Sequence, residues 1–66
     1  MSVIKIIEIM SSSNKSWEDA SALGIAKASK TIKNLKSAWV KDQSVLIKDD
    51  KIIEFRVTLK LSLEVI

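Results

Sequence analysis

The 66-residue chain carries eleven basic and eight acidic side chains for a net charge of +3, is 47% hydrophobic, and has one glycine and no proline, cysteine or histidine. One domain spanning residues 1–66 is the most this length allows. A core of that size supplies only about 3 to 5 kcal/mol, and without Cys or His neither disulfides nor a structural zinc can add to it, so self-association is the expected source of further burial. The same absences remove the imidazole base, the thiolate nucleophile and the triad, dyad and zincin arrangements, so the chain is not expected to be an enzyme. Gly24 alone is too little for a phosphate-cradling loop.

In chain order, Val3 to Met10 (VIKIIEIM) is rich in β-branched residues and too short for an ordinary helix. It reads as a strand with both faces largely covered. Its interruption by Lys5 and Glu8, and its length, exclude a membrane span, which needs about 20 apolar residues. No cleavable signal pattern follows it, so a soluble, cytoplasmic protein with no membrane partner is expected. Ser11 to Lys15 forms a polar break. Ser16, followed by Trp17, Glu18 and Asp19, gives an S-x-x-D helix start in which the hydroxyl accepts from a free N–H of the first turn.

From Trp17 the apolar period is helical. At 100° per residue Trp17, Ala20, Ser21, Gly24, Ile25, Ala28, Thr31, Ile32 and Leu35 form one stripe, opposite Glu18, Asp19, Ala22, Ala26, Lys30 and Lys33. One amphipathic helix over about 17–33 is therefore predicted, small enough in its middle to lie close against a curved sheet. The period then changes to two. Leu35 to Ile47 and Ile52 to Val65 read as strands, joined through the turn-like Lys48-Asp49-Asp50-Lys51 into a hairpin. In the last strand Ile53, Phe55, Val57, Leu59, Leu61, Leu63 and Val65 share one face, and Glu54, Arg56, Thr58, Lys60, Ser62 and Glu64 the other. The fold class expected is α+β, in the order β-α-β-β.

Several residues are candidates for binding. Trp39 lies on the more polar face of the middle strand with Ser37, Lys41 and Gln43, and is read either as a stacking surface for an aromatic ligand or as an anchor between subunits. Gln43, on that face, is a hydrogen-bonding partner for a polar ligand edge. Arg56 can contact a ligand ring or phosphate, or pair with Glu54 or with Asp42 of a neighbour. Trp17 is read as packing against the end of the sheet or against a neighbour. Lys27, Lys30, Lys33, Lys36 and Lys41 hold most of the surplus charge, read as a solvated face; with three aromatics and one arginine, nucleic-acid binding is not expected. Asp49 and Asp50, and separately Asp42 or Glu64 gathered about a symmetry axis, offer oxygen ligands for a hard divalent cation, while turn composition explains the aspartate pair equally well.

Taken together these pieces resemble the dodecins, small flavin-binding β-α-β-β proteins that assemble into hollow dodecamers. The resemblance runs over essentially the whole chain. It rests on Val3-Ile4-Lys5-Ile6-Ile7-Glu8-Ile9; on Ser13, Ser16, Trp17, Glu18 and Ala20; on Ala26, Ala28, Lys30, Thr31, Asn34 and Leu35; and on Ala38, Val40 and Phe55-Arg56-Val57-Thr58-Leu59-Lys60-Leu61. It implies a three-stranded antiparallel sheet wrapped around one helix, a homododecamer, and flavin (riboflavin or FMN) sequestered between subunits. In flavin-binding members a Trp early in the second strand stacks on the isoalloxazine ring. Ser37 stands there in this chain, with Trp39 two residues on, and Arg56 stands where some members place a flavin-bonding Gln. Ser11-Ser12-Ser13 replaces the family's Gly-Thr-Ser. The chain is thus closer to bacterial members lacking the stacking Trp, some of which are calcium-binding. The flavin residues implied are Ser37, Trp39, Gln43 and Arg56; the alternative is a structural or calcium-binding assembly that has lost flavin.

Overall fold

The alternation of the last segment sets the centre of the molecule. In a computed structural model that describes residues 3–65, β1 (Val3–Ser13), α1 (Trp17–Ala28), β2 (Leu35–Lys48) and β3 (Lys51–Val65) follow in the expected order. The strands form one antiparallel sheet ordered β1-β3-β2, so β3 pairs on both sides. Its Val57, Leu59 and Leu61 are almost fully buried with Ala20 of α1, and Ile7, Ile9, Trp17, Ala28 and Leu35 pack around them. Burying each of those three aliphatic side chains stabilises by about 1.5–3 kcal/mol. This is a small core, and Ile4, Ile6, Met10, Trp39, Ile47 and Ile52 all lie exposed outside it.

The helix begins as the sequence dictates. Ser16 has extended backbone and its Oγ accepts from the Asp19 N–H at 2.9 Å, while Glu18 and Asp19 sit in the first turn. Ser13, buried at the end of β1, donates to Asp19 Oδ2 at 2.5 Å and accepts from the Lys15 N–H at 2.9 Å, which fixes the strand-to-helix turn. At mid-helix the backbone approaches the sheet closely. A Cβ on Gly24 would meet the Ser11 Cβ at 2.8 Å, so only glycine fits there.

Four expectations are corrected. The helix ends at Ala28 rather than near residue 33: Ser29 Oγ donates to the Ala26 carbonyl at 2.8 Å, shorter-range bonds from Lys30 and Thr31 tighten the last turn, and Asn34, at φ 64°, turns the chain into β2. The serines of the supposed break belong to β1 as far as Ser13, because Val57, Arg56 and Phe55 give their backbones ladder partners. The expectation that both faces of β1 are covered is not met within one chain, since β1 is an edge strand whose Val3, Ile4, Ile6 and Met10 are exposed. Finally, β2 does not alternate evenly, because its register to β3 shifts at three places, between Leu35 and Ser37, between Val40 and Asp42 and between Leu46 and Ile47.

The β2–β3 hairpin is found as expected, with Asp49 and Asp50 at φ 52° and 64° in its turn, the left-handed pair that a primed two-residue turn requires. The hairpin outruns the rest of the sheet. β1 pairs no further than Ser13 with Phe55, while β2 and β3 continue through Leu46–Glu54, Ile47–Ile52 and Lys48–Lys51. The molecule is accordingly elongated, 51 × 20 × 13 Å. Among the described residues, no helix is long and apolar enough to cross a membrane.

Candidate functional site

The sheet has two faces with different work. The helix packs on β1 and β3 over the face that carries Val57, Leu59 and Leu61. The other face bears the polar residues of β3, and the register arranges it in rows: Ser12, Arg56 and Ser44; Met10, Thr58 and Asp42; Glu8, Lys60 and Trp39; Ile6, Ser62 and Ser37. Residues that sit opposite each other share a face, so Ser37 and Trp39 are brought together in adjacent rows. Trp39 is 46% exposed. Beside it Ser37 Oγ and Ser62 Oγ are 2.5 Å apart, and Ser62 is buried between the flanking strands.

Lys41 is the extra residue in the β2 bulge, between the rows of Trp39 and Asp42. Its Nζ lies 3.1 Å from Glu8 Oε1 across the sheet, with both side chains about half exposed. The bulge has a second effect. It reverses the faces of β2, so Asp42 and Ser44 share the face of Trp39, whereas Gln43 sits opposite Val57 on the helix side. The expectation that Gln43 shares a face with Trp39 is therefore wrong. One unpaired residue inverted the alternation from which it was read.

Arg56 lies on the Trp39 face but two rows beyond Lys60, about 13 Å along the strand. Its Nε donates to Glu54 Oε2 at 3.1 Å, the pairing that the sequence offered as one of its options. Arg56 also lines, with Met10, Ser11 and Ser12, a shallow depression of about 330 Å³. The acidic candidates are spread out: Asp42 in mid-face opposite Thr58, Asp49 and Asp50 at the hairpin tip, Glu64 toward the other end of β3 opposite Ile4. Among the described residues, no three His, Cys, Asp or Glu side chains are gathered to hold a metal ion. A cation held by these carboxylates would take them from more than one chain.

Trp17 does pack against the end of the sheet. Its ring meets Phe55 edge-on, centroids 5.3 Å apart at 80°, and its Nε1–H donates to the Ser44 carbonyl at 3.0 Å. That contact locks the start of the helix over the base of the hairpin. Sequence reasoning passed over Glu8, Lys60 and Ser62. Their neighbours on the face are set by register, and only the even spacing of positions 56 to 64 pointed to that side of β3.

The dodecin family model matches residues 3–65. The chain belongs to the dodecin family. Calcium dodecin of Mycobacterium tuberculosis is 32% identical over 62 residues, covering 94% of this chain and 87% of that protein. Its crystal structure, described as having a novel calcium-binding site, matches with a TM-score of 0.85 at 28% identity, over 97% of this chain and 91% of the other. A dodecin of Thermus thermophilus matches with a TM-score of 0.93 at 26% identity, covering 100% of this chain and 98% of that one. For this dodecin the resemblance read from the sequence and the β-α-β-β fold agree.

Proposed function

We propose that this dodecin is a non-enzymatic, cytoplasmic, self-assembling binding protein, a homododecamer that sequesters flavin (riboflavin or FMN) in clefts between its subunits. One observation carries the reading: Trp39 stands exposed on the polar sheet face with the small Ser37 and Ser62 beside it and Lys60 opposite. A flat aromatic ligand finds there an indole to stack on and cations for a phosphate or ring oxygen. Stacking brings an excited flavin against an electron-rich ring, which quenches it, and enclosure between subunits limits its side reactions. Of the residues named for flavin, Ser37 and Trp39 form the platform. Arg56 contributes from a neighbouring cleft or through a long ligand, and Gln43 has no place in this cleft. The purified protein is expected to quench the fluorescence of riboflavin or FMN at micromolar concentration; undiminished fluorescence overturns the flavin reading. Trp39→Ala is expected to abolish quenching, and quenching that survives moves the platform elsewhere.

A second reading has its own support, in the 32% identity to a calcium dodecin. On it the assembly binds a divalent cation through carboxylates brought together from several chains, drawn from Asp42, Asp49, Asp50 and Glu64. Calorimetric titration with calcium separates the two: heat of binding that is lost in Asp42→Asn or Glu64→Gln, together with absence of flavin quenching, favours this reading.

A further inference from the structure

Lys60 stands in mid-sheet on β3, between Glu8 of β1 and Trp39 of β2, with Thr58 and Ser62 on either side of it along the same face. Thr58 and Ser62 are buried and Lys60 is half-buried. Lysine is rarely withdrawn from water without a partner of opposite charge. The carboxylate opposite is already engaged, because Glu8 Oε1 lies 3.1 Å from Lys41 Nζ. The other ion pair among the described residues, Arg56–Glu54, begins two rows away. Two ammonium groups therefore share one carboxylate beside Trp39. The space next to the indole is also one-sided. Toward the row of Ile6, Ser62 and Ser37 the small hydroxyl side chains leave room above the sheet; on the other side stand Lys41 and then Asp42. A planar ligand on Trp39 extends over the small side, where Lys60 borders it and Asp42 lies beyond the indole.

We propose that Lys60 sets the charge of the ligand this cleft accepts: its ammonium takes the phosphate of FMN in preference to the uncharged chain end of riboflavin, and Glu8 limits that preference by holding Lys41 to itself. This preference rests on the flavin reading above and names which flavin is held and which side chains choose it. A phosphate monoester carries between one and two negative charges near neutral pH, so it matches both the donor and the charge of Lys60. A ring carbonyl would accept the hydrogen bond and leave the charge unmatched. Charge-assisted bonds are about twice as strong as neutral ones, which is the source of the discrimination. Glu8 acts from the opposite strand. With its carboxylate present Lys41 is neutralised and the cleft holds one free cation; without it Lys41 joins Lys60, and the attraction for a phosphate grows.

Fluorescence titrations of FMN and of riboflavin with the intact protein at low salt test this. The wild type is expected to bind FMN about tenfold more tightly than riboflavin, with the ratio falling as salt screens the charges. Lys60→Gln is expected to bring the ratio close to one by weakening FMN alone, and Lys60→Arg to preserve it. Glu8→Gln is expected to widen it. Native mass is measured on every variant, and the ratio taken within each variant cancels any general loss of assembly. A wild-type ratio near one with both ligands quenched overturns the proposal and leaves the flavin reading standing. So does a Lys60→Gln variant that loses both ligands equally, which would assign Lys60 to a ring oxygen. A ratio that Glu8→Gln leaves unchanged or narrows overturns the part given to Glu8. Quenching of neither ligand by the wild type overturns this preference and the flavin reading together.

Discussion

At the scale of single residues, Gly24 and Ser11 show how a small side chain decides a packing distance. In an exposed helix, Gly24→Ala would gain up to about 1 kcal/mol of helix propensity. Here the new Cβ would meet the Ser11 Cβ at 2.8 Å, at a carbon fixed to the β1 backbone with no freedom to swing away. Overpacking of that kind costs about 1–3 kcal/mol. Gly24→Ala is therefore expected to lower the denaturation midpoint, while in a Ser11→Gly background the same substitution becomes neutral or stabilising; equal effects in both backgrounds would sink the account. Ser16→Ala, which removes the acceptor for the Asp19 N–H, is expected to cost about 1 kcal/mol at unchanged denaturant slope. Both measurements are made at one fixed protein concentration.

At the scale of elements the bulge at Lys41 is the device on which the polar face depends. Deleting Lys41 restores alternation between Ser37 and Leu46, so either the Trp39 segment or the Asp42–Val45 segment must turn over and carry its side chains to the wrong face. A loss of the cooperative unfolding transition, followed by tryptophan emission, is expected. Lys41→Ala keeps the bulge and removes only a half-exposed ion pair, so it is expected to change stability by no more than about 0.5 kcal/mol. This bulge also marks where the sequence stopped being legible. The strict alternation of β3 showed which of its side chains make the core, and Ser16 with Glu18 and Asp19 showed where the helix starts, because both signals are local and repeated. A single extra residue in β2 leaves no repeat to read, and it carried Gln43 to the helix side. Ser11 to Ser13 looked like a break because serine has little strand preference of its own; their strand character comes from a partner more than forty residues away and from the need for a small residue under Gly24. The last residues of the predicted helix kept their apolar spacing, with Ile32 still half-buried, while Ser29 and Asn34 ended the helical backbone beneath it.

At the scale of the whole molecule, four nearly solvent-free apolar residues are a thin foundation for 51 Å of protein. If copies of the chain share the remaining burial, stability is linked to concentration by mass action. The calorimetric melting temperature is expected to rise as total protein is raised from micromolar to hundreds of micromolar, and a melting temperature independent of concentration would contradict a dissociating assembly. The polar face reads the same way at this scale. Trp39, Lys60 and the Ser37–Ser62 pair lie on an open sheet surface, so in the proposed assembly a ligand bound there would be enclosed by other subunits.

The strand order β1-β3-β2 also bears on how the protein is made. β1 and β2 emerge first from the ribosome, yet neither pairs with the other, and each waits for the same later segment, residues 51–65. A nascent chain that has reached Lys48 thus holds two strands' worth of polypeptide and not one rung of sheet. Chains cut short before Lys51 forfeit pairing on both flanks together, so such truncated products have no partly native sheet to shelter in and are open to degradation.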